Sequence, residues 1–136
     1  MNFTDKTVLI TGFASGIGEA TAKVFAGYGA NVVGFDRNVE MGERLTAKMK
    51  KMGHTVTFVQ GDVRKEEDIA AAVDSAVKIY GQLNFGVNNA GVEGALCSFS
   101  DTKTQDFDDV IAINLRGVFL SMKHELKHMA SIGEGA

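Results

Sequence analysis

Short unbroken apolar runs alternate along the chain with longer stretches in which apolar residues return every third or fourth position. The first run, residues 7–10 (TVLI), has the pattern of a strand buried on both faces and stops at Thr11-Gly12. Ile17, Ala20, Thr21, Val24, Phe25 and Tyr28 then recur at helical spacing, which predicts a helix over residues 16–28 with Gly29 at its end. Residues 31–35 (NVVGF) predict a second strand, and Met41, Leu45, Met49 and Met52 form one face of a second helix over 39–52, closed by Gly53. Residues 55–59 (TVTFV) are β-branched and aromatic, hence a third strand. Ile69, Val73, Ala76, Val77 and Tyr80 mark a third helix over 65–80, ahead of Gly81. Residues 83–87 (LNFGV) read as a fourth strand, with Gly86 acceptable where a backbone or ligand approaches closely. A broad stripe of Phe107, Val110, Ile111, Leu115, Val118, Phe119, Met122, Leu126 and Met129 predicts one long final helix over residues 103–130.

Strict alternation of strand and helix implies a parallel sheet, since right-handed helical crossovers are the usual way to join parallel neighbours; the fold class is α/β. The 136 residues suit a single domain, 1–136, and show no internal repeat, linker or low-complexity stretch. Sixteen glycines and no proline mean that glycine supplies the turns. Fourteen Lys and Arg against 17 Asp and Glu give a net charge of −3, and 45% of residues are hydrophobic. This composition excludes a disordered chain and argues against a nucleic-acid partner held by a strong basic field. Cys97 is the only cysteine, so neither an intrachain disulfide nor a cysteine-based zinc framework forms, and a reducing, cytoplasmic location is expected. The apolar runs are short and residues 1–10 contain Asp5 and Lys6, so neither a membrane span nor a signal peptide is expected.

The junction of the first strand and helix reads Thr11-Gly12-Phe13-Ala14-Ser15-Gly16-Ile17-Gly18. Glycines at this spacing let the chain turn sharply and bring backbone close to a bound group, while the free N–H groups at the start of the helix favour a pyrophosphate. Taken alone, the same motif is also a plain strand-to-helix turn. Asp36 ends the second strand, where a dinucleotide fold places an acid to accept hydrogen bonds from a ribose diol and to repel a 2′-phosphate; the other reading is a turn aspartate capping the second helix. Arg37, next to it, is placed to contact adenine or to soften the exclusion of NADP.

Together these residues resemble the short-chain dehydrogenase/reductase family, whose T-G-x-x-x-G-I-G motif is matched letter for letter at Thr11–Gly18. Gly61-Asp62-Val63 is similar to the family's D-V element against the adenine, Asn88-Asn89-Ala90-Gly91 to its N-N-A-G, and Asn114-Leu115-Arg116-Gly117 to its N-L-x-G, all in the family's order. The resemblance implies a cofactor site at Gly12, Ser15, Gly16, Ile17, Gly18, Asp36, Arg37, Asp62, Val63, Asn89, Ala90 and Gly91, with NAD preferred to NADP. The implied fold is a Rossmann-like doubly wound parallel sheet, and its strand order of 3-2-1-4 puts the crevice between the first and fourth strands, flanked by the glycine loop and the Asn89–Gly91 turn. The resemblance further implies a hydride-transferring oxidoreductase acting on a small alcohol or carbonyl, and a homo-oligomer in which the long helix meets a neighbouring subunit.

The family's catalytic set is an Asn, a Ser and a Tyr-x-x-x-Lys, and only the Asn has a counterpart here, Asn114. In the family this residue disturbs the long helix and its main-chain carbonyl holds a water; a helical Asn can also be a buried polar residue. Four positions after Tyr28 and Tyr80 stand Val32 and Asn84 rather than Lys, so the chain is expected to be the cofactor-binding part of an enzyme cut before its fifth strand, inactive by itself. A non-catalytic dinucleotide-binding or interaction module ending at residue 136 is the alternative. Such a cut leaves Leu83, Phe85 and Val87 on an uncovered strand edge, a further source of association.

His124-Glu125-Leu126-Lys127-His128 fits the H-E-x-x-H pattern of zinc proteases, yet no third ligand follows at the metzincin positions. Two solvated histidines near a helix end are the expectation, with no metal. Asp106, Asp108 and Asp109 are expected in the first turn of the last helix, where acids complement its dipole, and residues 93–97 are expected to face substrate.

Overall fold

A computed structural model describes residues 1–136. Strands β1 (Thr7–Thr11), β2 (Asn31–Asp36), β3 (Val56–Gln60) and β4 (Phe85–Asn88) form one parallel sheet in the order β3-β2-β1-β4, as the motif order implies. Between them run α1 (Gly16–Gly27), α2 (Val39–Lys51) and α3 (Glu66–Tyr80). After β4 and a short 3-10 turn (Phe99–Asp101) come α4 (Thr104–Ile111), a π-helical turn (Ala112–Gly117) and α5 (Val118–Ile132).

Alternate residues of β1 enter opposite layers, as the two-residue strand period requires. Val8 and Ile10 join Phe13, Ala22, Ala26, Leu45 and Met49 beneath α1 and α2. Leu9 joins Val33, Ile69, Val73, Leu83, Leu120 and Met129 beneath α3 and α5. Both faces of the sheet are therefore covered, which is why its strands read as unbroken apolar runs.

The expected inward face of α1 is corrected. Gly18, Ala22 and Ala26 are buried, while Val24 and Tyr28 are exposed. Small side chains let this helix lie close on the sheet, and proximity outweighs the hydrophobicity of the larger residues. On α2, Met49 is buried as expected, but Met52 follows the last helical residue and is exposed.

Residues 83 and 84 precede β4; the amide of Leu83 is taken by α5, whereas that of Asn84 already meets β1. The Leu83 N–H donates to His128 Nε2 and the Asn84 N–H to Thr7 O. The expected bare edge of β4 is also corrected: Leu83 is buried, Phe85 packs at 5.3 Å from Phe3, and Ala136 exchanges hydrogen bonds with Asn84 O and Gly86 N–H. The single long helix expected over 103–130 is divided by the π-helical turn, and only Asp106 of the three aspartates lies in its first helical turn. No helix is long and apolar enough to cross a membrane.

Candidate dinucleotide crevice

The C-terminal ends of β1, β2 and β4 open onto a cavity of about 570 Å³, within the range of small-molecule sites. Gly12, Ser15, Gly16, Ile17, Asp36, Arg37, Asp62, Val63, Asn89, Ala90 and Gly91 line it, so the sequence motifs converge on one place. It lies beside the point where the strand order reverses, between β1 and β4.

The glycine loop is shaped from within. Gly18 is the one expected cofactor residue off the cavity wall: a Cβ there would stand 2.0 Å from Gly12 O, so its role is to let the loop fold onto α1. Gly12 has φ +68 and a Cβ there would meet Asn89 Nδ2 at 2.8 Å. Gly16, at φ +55, has nothing within 4 Å of the corresponding point and faces open space. The Ser15 side chain does not cap α1, and the N–H groups of Gly16, Ile17 and Gly18 have no acceptor within the chain. A helix start with free donors, no side-chain cap and a bare glycine toward the cavity is a cradle for an anion.

The second wall is clamped to the first. Asn89 Nδ2 donates to Thr11 O at 3.1 Å and to Gly12 O at 3.2 Å, and the Ala90 N–H donates to Thr11 Oγ1 at 3.1 Å. The Asn89–Gly91 turn thus holds the glycine loop in place.

Asp36 has two backbone partners. Its Oδ2 accepts from the Ala14 N–H and its Oδ1 from the Asn38 N–H, both at 2.9 Å. The cap of α2 falls to Asn38 instead, whose side chain accepts from the Met41 N–H, so the capping alternative for Asp36 does not hold. Asp36 ties the glycine loop to the end of β2 while lining the cavity. Asp62 is gripped by Arg64, whose Nε lies 2.9 Å from Oδ2, and this guanidinium holds its carboxyl below the usual carboxylate range.

Asn114 sits in the π-helical turn and does not line the cavity. Its Oδ1 accepts from the Val92 N–H and its Nδ2 donates to Val92 O, each at 2.9 Å, so the side chain is fully engaged in pinning the segment after the Asn89–Gly91 turn. The helix distortion that the resemblance implies at this residue is present, and the buried-polar alternative fails because Asn114 is exposed.

Phe35, Gly61, Val92, Glu93 and Ile113 complete the lining. Of these, the sequence marked Gly61, in the Gly61-Asp62-Val63 element, and Glu93, in the 93–97 segment; Cys97 itself is exposed away from the wall. Phe35 flanks an expected residue, whereas Ile113 reaches the site only through the tertiary fold. The histidines are corrected: His124 Nε2 lies 3.0 Å from Glu66 Oε1 and His128 Nε2 accepts from the Leu83 N–H, so each is half-buried with its own partner rather than solvated. Sequence reasoning also missed Glu125, which is 3% exposed and accepts from Asn88 Nδ2 at 2.8 Å. Nothing in an amphipathic helical pattern marks one glutamate as inward.

Residues 6–136 match the family model for short chain dehydrogenases. Momilactone A synthase of Oryza sativa subsp. japonica is 43% identical over 132 residues, covering 96% of this chain and 47% of that protein. The mitochondrial borneol dehydrogenase of Lavandula x intermedia is 45% identical over 125 residues, covering 91% of this chain and 46% of that protein. The crystal structure of an NAD+-bound xylitol dehydrogenase is 33% identical and superposes with a TM-score of 0.95, covering 99% of this chain and 52% of that one. The chain spans about half the length of the relatives it matches.

Proposed function

The chain belongs to the short chain dehydrogenase family, and from that premise we propose that it is the dinucleotide-holding part of an oxidoreductase that uses NAD in preference to NADP and acts on a small alcohol or carbonyl. The observation that carries the reading is the convergence of the free N–H groups of Gly16 and Ile17 and the carboxylate of Asp36 on one cavity. When bound there, the nicotinamide cofactor supplies a hydride donor or acceptor for a carbinol or carbonyl carbon. The donors at the start of α1 would hold the pyrophosphate, Asp36 would present negative charge to the ribose, and Val63 with Asp62 would border the adenine. Asn114 keeps Val92 and the turn before it in place. The names of the relatives are those of enzymes, which speaks against an interaction module.

Titration calorimetry with NAD+ and NADP+ tests the preference. We expect NAD+ to bind about tenfold tighter or better, and Asp36→Ala to narrow the gap, since the carboxylate that opposes a 2′-phosphate is gone. Equal binding of the two by the unaltered chain overturns the assignment of Asp36.

A second expectation follows from the side chains present. Tyr28 and Tyr80 lack a lysine four positions on, and the Tyr80 hydroxyl lies 2.7 Å from Thr57 Oγ1 beside β3. The 136-residue chain alone is therefore expected to give no NADH from NAD+ and alcohols, because no proton-transferring pair of that type is available. Sustained growth of NADH absorbance from a preparation whose mass matches this chain contradicts it.

A further inference from the structure

Three side chains between α5 and β4 carry buried polar atoms left unpaired: Asn88 Oδ1, Ser121 Oγ and Glu125 Oε1. Glu125 is the unusual member, a carboxyl that is 3% exposed. Gly86 makes room for it, because a Cβ there would stand 2.4 Å from Glu125 Oε2. That answers why a glycine interrupts the fourth strand, and the approaching group is this side chain. Asn88 Nδ2 donates to Oε2 at 2.8 Å. The pair then has one oxygen on each side, Asn88 Oδ1 and Glu125 Oε1, with no donor, and the Ser121 hydroxyl bonds to neither. One proton on Glu125 supplies the missing donor, and a neutral carboxyl and an amide are complementary at two points, O–H to O and N–H to O.

Asn88 immediately precedes Asn89 and Ala90, whose bonds to Thr11 and Gly12 join the two walls of the crevice. We propose that Glu125 is a positioning residue that, as a neutral acid, holds the Asn88 amide and so fixes the Asn89–Gly91 turn against the glycine loop. The link to cofactor affinity rests on the reading of the crevice given above; the link to the turn does not. Burial pushes the Glu125 carboxyl upward, offset in part by the Asn88 hydrogen bond. No neighbouring charge acts on it. On α5 and α3, Lys123 and His124 pair with Glu66, while Asp74 and Lys78 are exposed. Arg116 of the π-helical turn donates to Arg64 O, His128 accepts from Leu83 N–H, and Glu134 pairs with Lys6. On β4, Gly86 and Asn88 do not titrate.

The sign follows. A buried acid whose folded value is raised contributes its full stabilisation below the ordinary carboxylate range, and loses it as pH rises through the raised value. Hydrogen exchange of the Ala90 amide, without nucleotide and corrected for intrinsic rates, reads the turn directly. In the unaltered chain its protection is expected to fall about tenfold as pH rises through the raised value of the Glu125 carboxyl. Glu125→Gln, whose amide supplies both a donor and an acceptor, is expected to keep the protection at every pH. Glu125→Ala is expected to lose it throughout. Titrated with NAD+, the Ala variant should bind about tenfold more weakly while the Gln variant stays within about twofold.

Unchanged Ala90 protection in Glu125→Ala overturns the proposal, as does a Gln variant that follows the same pH decline as the unaltered chain. Should the Ala variant not fold, the comparison of Gln with the unaltered chain across pH decides alone. Absence of NAD+ binding by every form, with the protection pattern intact, strikes the cofactor reading and leaves the positioning role standing.

Discussion

Gly18→Ala is expected to disable the crevice although the backbone there needs no unusual angle. The added methyl stands 2.0 Å from Gly12 O, a main-chain atom that no rotamer change can move aside. Gly12 O is also held from the far wall, because Asn89 Nδ2 donates to it at 3.2 Å. Overpacking of this kind costs about 3 kcal/mol at the upper end of its usual range. The displaced loop should lower NAD+ affinity by roughly a hundredfold, since about 3 kcal/mol borne by the binding geometry corresponds to a loss of that order. Gly16→Ala is the control for folding only, because its methyl points into the anion cradle and is expected to weaken NAD+ binding as well. Its methyl meets nothing within 4 Å, and the cost is the strain of φ +55, about 1 kcal/mol. Urea denaturation of both variants checks the contrast in stability, titration calorimetry of Gly18→Ala checks the loss of affinity, and a Gly18→Ala chain that matches the unaltered one in both measurements shows that the Gly12 contact does not shape the loop.

Self-association through α4 and α5 is the second large effect expected. Phe107, Leu115 and Phe119 are 58%, 63% and 62% exposed, and Ile111, Met122 and Leu126 extend the same stripe, while Ile113, Leu120, Ser121, Glu125 and Met129 face the sheet. A continuous apolar face of this kind is what an interface between copies buries. The β4 edge no longer contributes, since Phe85 and Leu83 are covered within the chain. Phe119→Asp removes a central aromatic, and anchors of that type carry about 2–4 kcal/mol, roughly 30- to 1,000-fold in dissociation constant. Sedimentation velocity over a concentration series should show association in the unaltered chain and a monomer in the variant, with little change in thermal stability. A monomer at high concentration for both removes the stripe as an interface.

What the sequence disclosed and what it hid divide along a physical line. The strands were legible because burial on both faces writes an unbroken apolar run, as in Val8, Leu9 and Ile10. The crevice was legible because its residues cluster at the C-terminal ends of strands, so each short motif carries its own geometry. Contacts between elements distant in sequence were not. The inward face of α1 is set by the closeness of the sheet, which selects Gly18, Ala22 and Ala26 over Val24. His128 is fixed by an amide 45 positions away, and Glu125 by a glycine and an asparagine on β4. Asn114 was marked correctly as a helix-disturbing residue, but its partner Val92 lies outside every motif.

The π-helical turn bears on more than Asn114. Each residue of an α-helix advances about 100°, so a four-residue step overshoots a full circle by about 40°. Phe107, Ile111, Leu115 and Phe119 are separated by three such steps, and in an uninterrupted helix the last would lie about 120° around the cylinder from the first. The widened turn at Ala112–Gly117, with hydrogen bonds reaching one residue farther than in an α-helix, absorbs most of that rotation. Two helical segments of different phase thereby present a single azimuth to solvent. The local irregularity that braces the crevice through Val92 also acts as the phase corrector of the outer face, and the two surfaces are bound to one insertion in the helix register.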